Sequence, residues 1–260
     1  MDISKILLSF LIIFSTSAHA FTLNNTSTLV FGKDEVKVNV AAGNCANIGI
    51  DEHELISIIS DAVNQYWNRS PTSRLKLRAG SIVSKIALYK TGPICTASTS
   101  CDPNPALAVD SDILITCNQN AVTFPSPSIL AVTVPNNISG KTIIGSLIMI
   151  NDRAGNQFVS SSRDEKVSII AHELGHAFGL GHSPVKDSLM YYATVNMRKS
   201  LGADDIDGIT YLYPKQQPVS CGTISDQNNP NSWLGLLIGF GLITFLRKFQ
   251  FRYLKLRPRV

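Results

Sequence analysis

Apolar and polar residues alternate through Val36-Lys-Val-Asn-Val40, the period of a strand with one buried face. Leu55, Ile58, Ile59, Ala62, Val63 and Tyr66 then recur at three- and four-residue intervals, which predicts an amphipathic helix over 51–67. Arg74-Leu-Lys-Leu-Arg78 alternates again as a second strand, and Ile82 to Tyr89 continues or follows it. Residues 94–105, with two cysteines and two prolines, read as a loop. Ile113 to Thr116 has the short apolar run of a buried strand, and two prolines break the chain within 123–128. Strands follow over 129–134 and 146–150, joined by Pro135-Asn-Asn-Ile-Ser-Gly140. A second long helix starts at Asp164-Glu-Lys, whose acids suit the positive end of a helix, and its apolar positions are Val167, Ile169, Ile170, Leu174 and Phe178. A last helix is predicted over 203–212, stopped by Pro214. No internal repeat is present. The order of elements suits an α+β domain over 35–214, preceded by an Asn/Ser/Thr-rich flexible leader over 21–34.

The two ends have another character. Residues 1–20 hold a lysine, an apolar stretch from Ile6 to Phe14 and a small-residue ending, Ala18-His-Ala20, as in a signal peptide cleaved before Phe21. After a polar linker (215–232), Trp233 to Leu246 carries no charge. As a helix it would span about 21 Å, short of a bilayer core of about 30 Å. Arg247, Lys248, Arg252, Lys255, Arg257 and Arg259 follow without an acid, the pattern of a cytoplasmic flank. The expectation is a weak membrane or sorting tail on an exported chain. Cys221-Gly222, the polar spacer, the short apolar run and the basic end resemble bacterial C-terminal sorting tails.

Charge and cysteines refine this picture. The net charge is +4, but the tail alone carries +6 and Asp2 cancels Lys5, which leaves −2 for residues 21–246. The basic balance belongs to the tail and gives no ground for a nucleic-acid partner. Cys45, Cys95, Cys101 and Cys117 lie in the domain, and four thiols allow three pairings. An oxidising compartment favours disulfides among them, and Cys95 with Cys101 would close the shortest loop. A cysteine-ligated second zinc site is the alternative. Cys221 is the odd one, either a modification or sorting position or a free thiol.

The chemistry is concentrated in residues 172–182, His-Glu-Leu-Gly-His-Ala-Phe-Gly-Leu-Gly-His. His172 and His176 share one helix face. Glu173 points to a neighbouring direction, beside a metal ion rather than onto it. Gly179 tolerates positive φ and lets the chain leave the helix, so that His182 returns as a third ligand. Three protein ligands and an open fourth position are the arrangement of a catalytic zinc ion, with Glu173 as general base toward the bound water.

This run resembles the metzincin zinc endopeptidases. Met190 in Ser-Leu-Met-Tyr-Tyr (188–192) looks like the family's Met-turn, and Leu201 to Tyr213 is similar to the closing helix of the matrixin branch. Residues 112–116, 130–133 and 146–152 fall in the order of three matrixin strands. The resemblance covers about residues 35–214. It implies a twisted, mixed five-stranded sheet whose antiparallel edge strand, here Ile129 to Val134, lies over the cleft and pairs with an extended peptide. It also implies that one of Asp204 and Asp205 contributes to binding the processed N-terminus while the other supports the Met-turn.

The chain also departs from the family. No Pro-Arg-Cys-Gly latency segment is present, and the histidines of a structural zinc site are missing. Tyr191-Tyr-Ala193 stands where a proline-containing wall is usual. Calcium is expected, if anywhere, at loop carbonyls and acids such as Asp152. The expected function is a monomeric zinc endopeptidase acting on extracytoplasmic proteins. The alternatives are a processing protease for one envelope protein and a non-catalytic surface adhesion module, against which the presence of Glu173 argues.

Overall fold

The computed structural model describes residues 21–43, 45–95, 102–193 and 198–215. The expected signal peptide, apolar tail segment and basic end lie outside these residues, as do Cys101 and Cys221. No described helix is long and apolar enough to cross a membrane.

The elements run β1 (Val30–Phe31), β2 (Glu35–Ala41), α1 (Glu52–Gln65), β3 (Lys76–Val83), the single turn α2 (Leu88–Thr91), β4 (Asp112–Asn118), β5 (Ala131–Ser139), β6 (Thr142–Asn151), α3 (Arg163–Ala177) and α4 (Ala203–Leu212). One sheet is ordered β3-β2-β4-β6-β5; its pairings are parallel except for antiparallel β5 against β6. β1 is a sixth, two-residue strand, parallel to the start of β6 with Val30 opposite Thr142. The expected five strands are therefore all present, with β1 as an addition.

Alternation places Val36, Val38 and Val40 of β2 inside, while Glu35 and Lys37 face solvent. β4 is buried at all seven positions, because both faces of the central sheet are covered. On one side α1 and α3 pack Leu55, Ile58, Ile59, Ile170 and Leu174 over the sheet. On the other, Tyr89, Ile94, Leu107 and Phe124 cover Leu114, Leu147 and Met149. Cys117 of β4 is bonded to Cys45, 72 residues earlier in sequence, and Cys95 is disulfide-bonded as well. These three sulfurs are therefore not ligands of a second zinc site.

Two expectations are corrected. Residues 21–34 are not a flexible leader: Leu29 and Phe31 are core residues, and Leu23 bridges antiparallel to Leu180. Burial of these apolar side chains outweighs the polar composition of the segment. The stretch 135–139 is not a linker either. β5 continues through it with irregular pairing around Asn137, and Ser139 stands opposite Thr142 across a tight turn at Gly140, φ 60°. Pro135 is tolerated because β5 is an edge strand and the missing N–H falls on its open side.

Candidate metal centre and catalytic cleft

α3 begins at Ser162, whose hydroxyl accepts from the backbone N–H of Glu165, while the Glu165 carboxylate accepts from the Ser162 N–H at 2.7 Å. This reciprocal cap fixes the first turn of the helix that carries the histidines, and it holds the Glu165 carboxyl below its ordinary pKa. The buried Lys166 amine donates to the carbonyls of Val159 and Ser161, which anchors the preceding loop. The helix ends at Ala177. Gly179, at φ 120°, makes the turn, and a Cβ there would meet the Leu29 carbonyl oxygen at 2.6 Å. The chain then brings His182 back toward His172 and His176.

The three imidazoles converge: their ligand atoms all lie within 4.8 Å of one another. His172 Nδ1 contacts the Leu189 carbonyl at 2.7 Å, and His176 Nδ1 contacts the Leu180 carbonyl at 2.8 Å. A carbonyl only accepts, so both Nδ1 atoms carry the proton and both Nε2 atoms present bare lone pairs. Those two Nε2 atoms are 3.1 Å apart. Two acceptors so close repel unless a cation lies between them. Three converging nitrogen donors, two of them in carbonyl-fixed tautomers, with no fourth ligand among the described residues, are the donor set of a catalytic zinc site. Burial, and then the neighbouring His172, pulls the pKa of His176 well below its ordinary value and that of His182 down as well. Neutral imidazole is the form that binds metal.

A second layer of residues holds the triad. Trp67 of the 67–69 turn donates its indole N–H to the Ala171 carbonyl at 2.7 Å. Below α3, Met190 packs against Gly175, where a Cβ would lie 2.3 Å from its sulfur. The Asp205 carboxylate of α4 accepts from the N–H groups of Leu189, Met190 and Gly202 and from the Ser188 hydroxyl. A continuous path thus runs from Asp205 through Leu189 to His172. Asp205 is the acid that supports the Met-turn. The buried carboxylate of Asp204 has no hydrogen-bond partner among the described residues. Phe21 lies against Gly208, one turn along the same helix, and its ring is 5.3 Å from that of Tyr211.

The returning loop is held by the first described residues. Asn24 donates its backbone N–H to Gly179 and its side-chain amide to the His176 carbonyl, at 2.9 and 3.2 Å. Gly181 donates to the Thr22 carbonyl, and the Thr22 hydroxyl to the carbonyl of His182.

Glu173 lies beside the histidines at the floor of a cleft of about 800 Å³, together with His176 and His182. β5 forms one wall through Ala131 to Asn136, and Thr22 to Asn25, Ile94 and Leu107 also line it. Burial pushes the Glu173 carboxyl above the usual carboxylate range, while His172 and the Thr133 hydroxyl oppose the shift. The expected ligands and carboxylate are thus brought to one place. Calcium at Asp152 is not supported: its carboxylate accepts from the N–H groups of Ala46 and Asn47 and from the Gln119 amide, so donors already surround it. Sequence reasoning missed Thr133, Gly175 and Thr22 to Asn24. The Ser-x-x-Glu cap at 162–165 carried a signal that could have been read.

The chain matches the family model described as Matrixin over residues 15–214. It is 52% identical over 48 residues to Metalloendoproteinase 2-MMP of Arabidopsis thaliana, which is 18% of this chain and 13% of the relative. It is 47% identical over 53 residues to human Matrix metalloproteinase-19, covering 20% and 10%. The match to Metalloendoproteinase 1-MMP of Arabidopsis thaliana is longer, 33% identical over 94 residues, covering 30% and 26%. The chain therefore spans only a minor part of the length of these relatives, whereas the family model takes in the whole sheet, the histidine helix and the closing helix. On that match, and on a histidine triad positioned for zinc, the chain belongs to the matrixin family.

Proposed function

We propose that this chain is a zinc-dependent endopeptidase that cleaves extended segments of proteins outside the cytoplasm, with Glu173 as general base. The observation that carries the reading is the meeting, in one cleft, of three metal-directed imidazoles, a buried carboxylate and the open edge of a strand.

Zinc bound by His172, His176 and His182 would acidify a water molecule and polarise the scissile carbonyl. Glu173, raised in pKa by burial, takes a proton from the attacking water and returns it to the leaving amine. His172 and His176 are kept in the ligating tautomer by the carbonyls of Leu189 and Leu180. β5 supplies the substrate rail. Asn151 donates to the Leu130 carbonyl, which sets the phase of pairing with β6. By alternation, the N–H and C=O groups of Ala131 and Thr133 point away from β6 toward the cleft. Pro135 shares that phase and offers only a carbonyl, so donors are available at two positions. Backbone pairing of this kind selects extended polypeptide over small esters or amides.

The location rests on sequence and on sulfur chemistry. The Cys45–Cys117 disulfide suits an oxidising compartment, in keeping with the signal-like residues 1–20. The tail over 233–260 is proposed, from its sequence pattern, as a retention or sorting segment. Glu173→Ala is expected to retain zinc and to lose cleavage of casein. If that variant cuts casein at the parental rate, the mechanism is wrong.

A further inference from the structure

The carboxylate of Glu173 makes one hydrogen bond among the described residues: the Thr133 hydroxyl donates to its Oε2 at 2.5 Å. Thr133 sits on β5, opposite Ile148 of β6. The phase of that pairing sends its main-chain N–H and C=O into the cleft, while its side chain reaches the floor. Val132 and Val134, on either side, turn their side chains to the opposite face, where they pack against the apolar cluster that includes Ile94 and Leu107. Within the strand, Thr133 is therefore the residue whose backbone faces an incoming peptide and whose side chain grips the carboxylate.

The geometry points to Thr133 as a positioning residue that ties substrate docking on β5 to the placement of Glu173. This rests on the peptidase reading given above. A hydroxyl fixed on Oε2 restrains the carboxylate from turning about its terminal bond and leaves Oε1 free to accept from a water bound in the cleft. Because the hydroxyl and the substrate-facing amide belong to one residue, a peptide that pairs with β5 and the base that serves it share one rigid support. Valine at this position would keep the shape and the strand propensity and would remove only the donor. A donated hydrogen bond also weakens a base somewhat, so the two consequences of removing it oppose each other. Positioning dominates, because the carboxylate is buried and has no other described donor to hold it.

The test compares Thr133→Val and Thr133→Ser with the parent on a fluorogenic peptide, with zinc content and thermal midpoint measured on each. A hydrogen bond to a charged group of ordinary strength predicts a fall in kcat of about tenfold to a hundredfold for Thr133→Val. KM and zinc content should be unchanged, and Thr133→Ser should restore most of kcat. Unchanged or raised kcat in Thr133→Val overturns the inference, as does a serine variant as slow as the valine one, or a loss explained by lost zinc. If the parent, loaded with zinc, cleaves no peptide of a mixed library, the peptidase reading itself fails. If the parent cleaves and Thr133→Val cleaves equally, only the role of Thr133 fails.

Discussion

Replacing Gly175 with alanine sets two effects against each other inside the histidine helix. Alanine is the better helix former by about 1 kcal/mol. The added Cβ would, however, lie 2.3 Å from the Met190 sulfur and 2.9 Å from Cζ2 of Trp67, where ordinary carbon contacts are about 3.5–4.0 Å. Met190 must then move by more than about 1 Å, since Trp67 is fixed by its bond to Ala171 and by edge-on packing against Phe178. Overpacking of this kind costs about 1–3 kcal/mol, so a net loss of about 0–2 kcal/mol is expected after the helix gain. The effect on activity is larger. Met190 follows Leu189, whose carbonyl sets the tautomer and direction of His172, and a misplacement of about 1 Å at a reacting group costs on the order of a hundredfold. The assay is a double-mutant cycle of Gly175→Ala and Met190→Ala, read by urea unfolding and by kcat/KM. Removing the Met190 side chain relieves the closer of the two contacts and leaves the one to Trp67, so the double variant should still be more stable than the sum of the two single losses by about 1 kcal/mol or more. Losses that add within about 0.5 kcal/mol, or a Gly175→Ala variant with parental activity, would refute the packing argument.

Two further expectations concern stability. Breaking the Cys45–Cys117 bridge, which closes a loop of 72-residue separation, should cost about 4 kcal/mol by chain entropy; denaturant unfolding of a Cys45→Ser, Cys117→Ser variant checks this, and a loss under about 1 kcal/mol would contradict it. In the metal-stripped protein, His176 and His182 have folded pKa values below their unfolded ones, by burial first and by His172 second. The unfolded chain then binds more protons below about pH 6.5, so stability is full above that value and falls as pH drops through it. The thermal midpoint of the stripped protein should decline between pH 7.5 and 5.5, and a flat profile would show that these rings are not buried as neutral groups.

Much of this architecture is legible in the sequence, and the reasons differ by element. α1 and α4 follow from apolar periodicity, because each buries one stripe. The histidine helix follows from its acidic start, from apolar positions at helical intervals and from the ligand spacing, although α3 from Lys166 onward is buried nearly all round. β5 was misjudged at its end because Pro135 is a chain breaker in general but is tolerated on an edge strand. The packing of residues 21–34 was missed because Asn, Ser and Thr do not reveal whether their polar groups will meet water or a loop 150 residues away. Thr133 and Gly175 carried no local signal at all. Their meaning depends on Glu173 and Met190, which are distant in sequence and adjacent only once the sheet and the closing helix are in place.

The strap from Thr22 to Asn24 has a consequence for the order of assembly. Its partners lie at Gly179 to His182, and the bond from the Thr22 hydroxyl to the His182 carbonyl closes a separation of 160 residues. Such a closure carries a high entropy cost until the intervening chain has compacted. α3 can form early and align His172 and His176, but the loop that carries the third imidazole is pinned only when Thr22 to Asn24 meet residues 179–182. The third ligand thus settles late, after the chain has been made past His182 and has compacted, and a copy that lacks the strap contacts has two of its three metal-directed histidines in place and no finished cleft.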